Sequence, residues 1–283
     1  DWDHAVSYSR FRSAMGRELN LDDPKLFADK LNWLKLYDRR KIHSVFADKL
    51  AVRQLVADAG FSAALNDIYA IWHTPAGLQT ANLPAAFVLK GNFGSSMNWF
   101  QKPGDQPDEA GVRKAAASWY RRDHSLVHGE AQYRSINRKL FAERWLGTAS
   151  LPPPDYKIHC FDGEPRFIRY FETVPTHPIR AILAFDPAWN RIEMDRPRPV
   201  VARRPVVQTP PKPRSLPDML ELARALSRGE PFLRVDVFDL DGELKFCELT
   251  LHPDGGNVNW LNEYWERTLG EWTCLPEKPA TSQ

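Results

Sequence analysis

Arg234, Asp236, Glu248 and Thr250 sit among apolar residues in two stretches, FLRVDVFDL and ELKFCELT, joined by Asp241-Gly242. Buried strands read as apolar runs, and a charge placed on one needs a partner. Asp-Gly between two such stretches marks a hairpin. With a three-residue loop over 240–242, Arg234 faces Glu248 and Asp236 faces Phe246. Asp236 and Glu248 are then diagonal neighbours, roughly 7–8 Å apart, within reach of one shared cation. Thr250 and His252 extend that face, while Val235, Val237, Cys247 and Leu249 form the apolar one. A two-residue loop would break this parity. The same charges also suit a cross-strand ion pair on a wet face, worth about 0.2–1 kcal/mol. The hairpin alone leaves both readings open.

Three other stretches carry residue types with chemical use. AAFVLKGNFGSSMNWF delivers Lys90 from a strand into a loop holding Gly91, Gly94, Ser95 and Ser96. Glycines permit close backbone approach and the hydroxyls donate, which together suit phosphate oxygens. Because the lysine precedes the glycines, this is not the GxxxxGK[ST] loop, and a plain turn is the alternative. DKLAVRQLVADAG reads as a helix with Arg53 one turn past Lys49, which also fits a solvated charged face. LFAERWLG places Glu143, Trp145 and Leu146 on a strand-like segment. It offers an apolar slot with edge hydrogen bonds for a flat base, or a core-edge strand. None of the three cysteines has an activating context, so no covalent thiol nucleophile is expected.

The elements that must position these residues follow from periodicity. The first 46 residues read as helical, with Leu26, Phe27, Leu31, Leu34 and Tyr37 near one stripe. A helix from Asp48 stops at Gly60, and strands follow at 68–72 and 85–92. Helix is expected over 109–126 and strand over 139–146. YKIHCF, PRFIRYF and AILAF read as antiparallel strands, and a helix begins after Ser215 as its N-cap. Segment 195–217 holds seven prolines with Arg196, Arg198, Arg203 and Arg204. It reads as an extended loop that either clamps an anionic acceptor or merely connects. The class is α+β, with helices flanking antiparallel sheets.

Bulk properties exclude several partners. A net charge of +2 gives no field for nucleic acid. Three widely spaced cysteines give neither a zinc pattern nor a disulfide framework. No apolar run approaches the roughly eighteen residues of a membrane span, and no signal-peptide pattern opens the chain, so a cytoplasmic location is expected.

Taken in order, the four motifs resemble the ATP-grasp superfamily. DKLAVRQLVADAGF looks like the helix of D-alanine–D-alanine ligases that bears a basic phosphate-binding residue, with Arg53 where a lysine is usual. FVLKGNFGSS resembles their strand lysine and serine-containing loop, and AERWLG their adenine-binding hinge. LRVDVFDLDGELKFCELTLHPDGG resembles their metal-binding hairpin. Across roughly residues 30–272 the chain looks most like the TupA-like branch, named for teichuronopeptide biosynthesis and associated with cell-surface polysaccharide genes.

The resemblance implies an ATP-grasp fold. A helical segment 1–46 would precede a lid subdomain 47–142 and a catalytic subdomain 143–275, ahead of a tail 276–283. ATP would lie between two sheets, with Arg53 and Lys90 on its phosphates and the Gly94, Ser95 and Ser96 loop over them. Glu143, Trp145 and Leu146 would receive adenine, and Asp155 the ribose. Asp236 and Glu248 would hold Mg²⁺, with Thr250 where the ligases carry asparagine. Arg234 would stabilise an oxyanion, and Lys157 would reach phosphate or acceptor. The implied activity is a carboxylate–amine ligase working through an acyl-phosphate. It would take an amino acid or amine and a carboxylate-bearing acceptor such as a glycan. An ATP-grasp phosphotransferase acting on a sugar or alcohol hydroxyl, or a nucleotide-binding protein without turnover, are the alternatives.

Overall fold

The computed structural model describes residues 1–174, 180–197 and 207–278; Arg198, Arg203 and Arg204 of the proline-rich segment lie outside them. Three helices open the chain, α1 (Trp2–Met15), α2 (Phe27–Tyr37) and α3 (Ile42–Ala47), followed by α4 (Val52–Asp58). A four-stranded sheet comes next, built from β1 (Ile68–Trp72), β2 (Phe87–Gly91), β3 (Asn98–Gln101) and β4 (Leu140–Arg144) in the order β1-β4-β2-β3. Its inner face packs Leu89, Leu140 and Ala142 on Val112 and Ala116 of α5 (Glu109–Tyr120). The helix expected over 109–126 is broken instead. Asp123 accepts from the Ser125 N–H and starts a separate short helix, α6 (His124–His128).

Residues 145–154 lead into a second sheet. Its strands are β5 (Asp155–Phe161), β6 (Glu164–Glu172), β7 (Ala181–Phe185), β8 (Arg191–Ile192), β9 (Phe232–Leu240) and β10 (Glu243–Thr250), in the order β10-β9-β5-β6-β7-β8. Every strand pair in both sheets is antiparallel. One face of the second sheet is the main core, where Ile158, Val235, Val237 and Leu249 meet Met219, Leu222 and Ala223 of α7 (Leu216–Ser227) and Val52 and Val56 of α4. Ser215 stands at the N-cap of α7, but its hydroxyl donates to the Asp239 carboxylate rather than capping the helix. α8 (Glu263–Trp272) closes the far side against α2.

The β9–β10 hairpin departs from the expected register. Asp241 (φ 54) and Gly242 (φ 98) are both left-handed, which makes a two-residue turn with Leu240 opposite Glu243. Alone, that turn would send Glu248 and Thr250 to the apolar face. A bulge at Cys247, between the pairs Phe246–Val237 and Glu248–Asp236, adds one residue and restores the parity. Asp236 is therefore directly opposite Glu248, and Arg234 opposite Thr250. Phe246 joins the core in place of Cys247, which turns toward the polar side.

Strand pairing then lays out the polar face as rows. Glu248, Asp236, Lys157 and Arg169 run across β10, β9, β5 and β6. Beside them runs Thr250, Arg234, His159 and Phe167, and on the other side Asp155, Phe171 and Ile182.

Candidate active site

Two cavities lie over this face. The smaller, about 260 Å³, is walled by Val88, Phe100, Trp145, Leu146, Pro152, Pro153 and Phe238. Its polar liners include Lys49, Lys90, Asn98, Glu143, Asp155, Lys157, Arg180 and Glu248. The larger, about 820 Å³, runs along the sheet past Ser95, Ser96, Arg169, Arg234 and Thr250 to His252 and Trp260. Both are lined by Lys49, Asn98, Lys157, Arg180 and Glu248, which form a charged junction between them.

The apolar slot is made by local sequence. Trp145 leaves the end of β4, its indole N–H donating 2.8 Å to the Thr148 carbonyl, and its ring meets Phe100 edge-on at 5.9 Å. Lys90 and Glu143 come from adjacent strands, β2 and β4, and form a tight ion pair at the polar end of the slot. Burial opposes the Lys90 charge, yet Glu143 beside it raises the pKa, with smaller help from Cys247 and Glu248. Asp155 lines the same slot and accepts from Arg180 at 2.6 Å.

At the junction, carboxylates and cations are interleaved. Asp236, only 2% exposed, receives Arg234 in a bidentate pair at 2.6 and 2.7 Å, and the Lys157 ammonium at 2.5 Å. Burial pushes its pKa up, but Arg234 and Lys157 pull harder and hold it below the usual carboxylate range. Glu248 behaves alike: burial raises it and Lys49, 3.3 Å away, is the first of the charges that bring it below its ordinary value. Arg234 is raised despite burial, chiefly by Asp236. Its second contact is the Thr250 hydroxyl at 2.9 Å, and Glu248 lies 3.9 Å off. Thr250 thus serves as a rest for Arg234.

Asp236 and Glu248 are hard oxygen donors facing each other across two strands; Glu248 lines both cavities, whereas Asp236 lies beneath Arg234 and Lys157 and lines neither, so the pair would suit a small divalent cation once a covering side chain moves. Because their present partners are side-chain cations, such an ion would enter by exchange with Lys49 and Lys157.

Arg53 is not part of this assembly. Its guanidinium donates 2.8 Å to the Asn66 carbonyl and lines neither cavity. Lys49, one turn earlier, is the cation of this motif that lines both cavities: it donates 2.7 Å to the Gly94 carbonyl and bridges to Glu248. The reason is local. The turn before α4 is docked on the β2–β3 loop by Asn92, whose amide donates 2.8 Å to Asp48. α4 itself turns Val52 and Val56 to the core.

Gly94 lines neither cavity, and a Cβ there would meet Met97 Cε at 2.6 Å, so its smallness serves packing under the loop. Ser95 and Ser96 do reach the larger cavity, and the Ser95 N–H donates 3.4 Å to His124 Nε2. Behind them Glu130 is buried, its carboxylate 3.8 Å from His124 and 3.6 Å from His252. Sequence reasoning missed Lys49, Arg169, Arg180, Glu130 and Cys247. Of these only Lys49 left a signal, as the neighbouring cation in its own motif.

Two further features are closed to chemistry. Burial pushes the Cys160 and Cys247 thiols up to about 12, against a nucleophilic role. Asp38, His43 and Glu230 cluster like metal ligands, but Arg40 already bonds both carboxylates at 2.8 and 2.6 Å. Among the described residues no helix is long and apolar enough to cross a membrane.

No curated protein matches the chain by sequence. Among solved structures it is similar to the D-alanine–D-alanine ligase of Bacillus anthracis complexed with ATP, with 13% identity, 73% of this chain and 55% of that one covered, and TM-score 0.44. It is also similar to the D-alanine–D-alanine ligase of Helicobacter pylori, with 12% identity, 88% and 69% covered, and TM-score 0.44. A third is the ATP-grasp ligase PsnB complexed with its minimal precursor, with 13% identity, 87% and 66% covered, and TM-score 0.44. The chain spans 55% of the length of the first of these. The family described as TupA-like ATPgrasp matches residues 29–273, from α2 through α8, and the chain belongs to that family.

Proposed function

We propose that the chain is an ATP-dependent carboxylate–amine ligase acting through an acyl-phosphate. The observation that carries this is the charged junction: an apolar slot opens through Lys49, Lys157 and Glu248 into a cavity about three times larger. In this reading the slot takes adenine against Trp145 and Leu146, with Glu143 at its edge and Asp155 toward the ribose. Lys49 and Lys90 take the phosphates, and Ser95 and Ser96 face the transferring group. Mg²⁺ held by Asp236 and Glu248 would neutralise phosphate charge during transfer.

The γ-phosphoryl group passes to the acceptor carboxylate and ADP leaves. The neutral amine then attacks the carbonyl carbon, the C–O bond to phosphate breaks, and the proton lost from nitrogen leaves on the inorganic phosphate. Arg234, clamped on Asp236, offers a fixed cation to the oxyanion of that second step. Lys157 stands where both phosphate and acceptor are within its reach.

One observation favours this over phosphotransfer to a hydroxyl. A hydroxyl needs a base, and Glu248, Asp236 and Asp155 at the junction are each paired with a cation. A carboxylate acceptor arrives ionised and needs none for phosphoryl transfer, and the proton of the amine that attacks afterwards can leave with the phosphate. The name of the family supports a place in assembly of cell-surface polysaccharide or glycopeptide.

Product stoichiometry tests the reading. Ligation releases ADP and phosphate with an amide, phosphotransfer releases ADP with a phosphorylated product, and a binder releases neither. ATP binding unchanged in Lys90→Ala combined with Asp236→Ala would sink the site.

A further inference from the structure

The larger cavity has two poles of opposite sign. At the junction it presents Lys49, Lys157 and Arg234, which neutralise Glu248 and Asp236. Toward His252 it presents Glu130 and Asp254. Glu130 is 7% exposed and accepts 3.1 Å from the Gln132 amide. Among the described residues no lysine or arginine forms an ion pair with it. Lys35, which feels its charge, donates 2.7 Å to the Gly255 carbonyl instead. Two histidine rings face it, His252 at 3.6 Å and His124 at 3.8 Å, both beyond hydrogen-bond distance. Burial holds both below the ordinary histidine value, so neither carries a charge at neutral pH. His124 Nε2 also accepts the Ser95 N–H at 3.4 Å, so it has no proton to give Glu130. Glu130 itself stays ionised: burial opposes the charge, but its neighbours, His252 first, hold it below the usual carboxylate range. It is a buried anion without a cation in the wall of an open cavity, and a buried charge needs a partner. A metal ion does not fill the gap, because among the described residues only Asp38, His43 and Glu230 converge as a set of three ligands.

This pole is close to the reacting end. His124 lies between Glu130 and Ser95, on the loop that faces the transferring group. We infer that Glu130 receives the primary ammonium of the amine substrate, with Asp254 at the rim of the same pole. Asp254 is exposed, and its carboxylate accepts 3.2 Å from the Trp260 indole. This deepens the ligase reading and rests on it: the acyl-phosphate forms at the cationic pole and nitrogen docks at the anionic one. The contact belongs to the bound ammonium, before it is deprotonated for attack. An enclosed carboxylate takes N–H donors, so a trimethylated nitrogen of the same charge gains less from it.

Binding is read by tryptophan fluorescence, without nucleotide or acceptor, because Trp260 lines the same cavity. The probes are glycine amide, its uncharged N-acetyl form, and betaine amide, which keeps the charge and loses every N–H on that nitrogen. Glycine amide should bind about tenfold or more tighter than the acetylated probe, as a charged hydrogen-bonded contact gives. It should also bind tighter than betaine amide, and Glu130→Gln should abolish both differences. Asp254→Asn, on an exposed side chain, should weaken glycine amide about threefold, and it decides if Glu130→Gln does not fold. Equal binding of glycine amide and either other probe to wild type, or a preference kept in Glu130→Gln, overturns the inference. Where that variant does not fold, an unchanged preference in Asp254→Asn does so. ADP release is assayed separately, with glutamate and glucuronate as carboxylates. Release without any preference for the ammonium probe keeps the ligase and removes this pocket, whereas the preference without release keeps the pocket and removes the ligase.

Discussion

Asp236 is one buried carboxylate shared by two cations, Arg234 and Lys157. Asp236→Asn keeps the shape and removes the charge, leaving both cations with little exposure and no full counterion. Breaking a buried pair this way costs about 3 kcal/mol or more, read as a drop in the urea midpoint at pH 7. The pH dependence has a definite sign. Asp236 and Glu248 are held below their ordinary values, so the stability they contribute is complete above the unfolded carboxylate value of about 4. It is lost as pH falls from there through the depressed native values. The gap between wild type and Asp236→Asn therefore narrows in acid; a gap that widens below pH 4 contradicts the pairing. Lys49 and Arg53 give a second contrast at this scale. Lys49→Ala should weaken ATP binding about tenfold or more, the worth of one charged hydrogen bond, measured by calorimetry. Arg53→Ala should leave that affinity within about twofold and cost about 1 kcal/mol of stability through its lost bond to Asn66. The sequence made these two cations legible as a pair. Which of them faces the site depended on how Asn92 docks the turn, and that is a tertiary contact between distant segments.

The hairpin shows why elements were easier to read than registers. Asp241-Gly242 announced a turn, and the charged positions announced a face, yet the assumed loop length was off by one residue. Both left-handed turn residues and the bulge at Cys247 were needed; each shifts the pairing by one residue in the same direction, and together they restore the face while moving every partner beyond the bulge by two. A bulge leaves no local signature in an otherwise regular strand, because its cause is the packing of Phe246 and Leu249 on opposite sides of it. The strands of the second sheet followed from their own apolar runs, whereas Arg180 and Arg169 were invisible as site residues until β6 and β7 stood beside β5. Deleting Cys247 tests this account. Without the extra residue Phe246 still pairs with Val237 and Glu248 with Asp236, now in an unbroken ladder, so the variant should fold, keep Glu248 and Thr250 on the polar face and still bind nucleotide. Cys247→Ala keeps the bulge and should melt within a few degrees of wild type. A deletion variant that folds as stably as wild type but no longer binds nucleotide would show that the register is not what holds the site.

At the scale of the whole molecule, the site joins segments that no single element contains: Lys49 before α4, Lys90 from the first sheet, and Glu248 from the second, with Asp236 buried opposite it. Without ligand these groups satisfy one another. Lys49 and Glu248 tie the β2–β3 loop to the hairpin, while Arg234 and Lys157 neutralise Asp236. A divalent cation arriving alone meets carboxylates already paired, and a polyphosphate alone meets cations already paired. Each ligand removes the other's competitor, since phosphate draws Lys49 and Lys157 away from the carboxylates a metal would use. Binding should therefore be strongly coupled and reciprocal. Thermal melts check this with four samples. Mg²⁺ alone should leave the midpoint unchanged within a degree, and ATP with chelator should raise it slightly. Mg²⁺ and ATP together, at about a hundred times their joint dissociation constant, should stabilise by about 2.7 kcal/mol, a rise of roughly 5–10 °C for a chain of this size. In Lys49→Ala the competitor on Glu248 is gone, so Mg²⁺ alone should begin to raise the midpoint while the gain with ATP shrinks. Equal and additive shifts from the two ligands in wild type would show that the ion pairs at the junction do not gate the site.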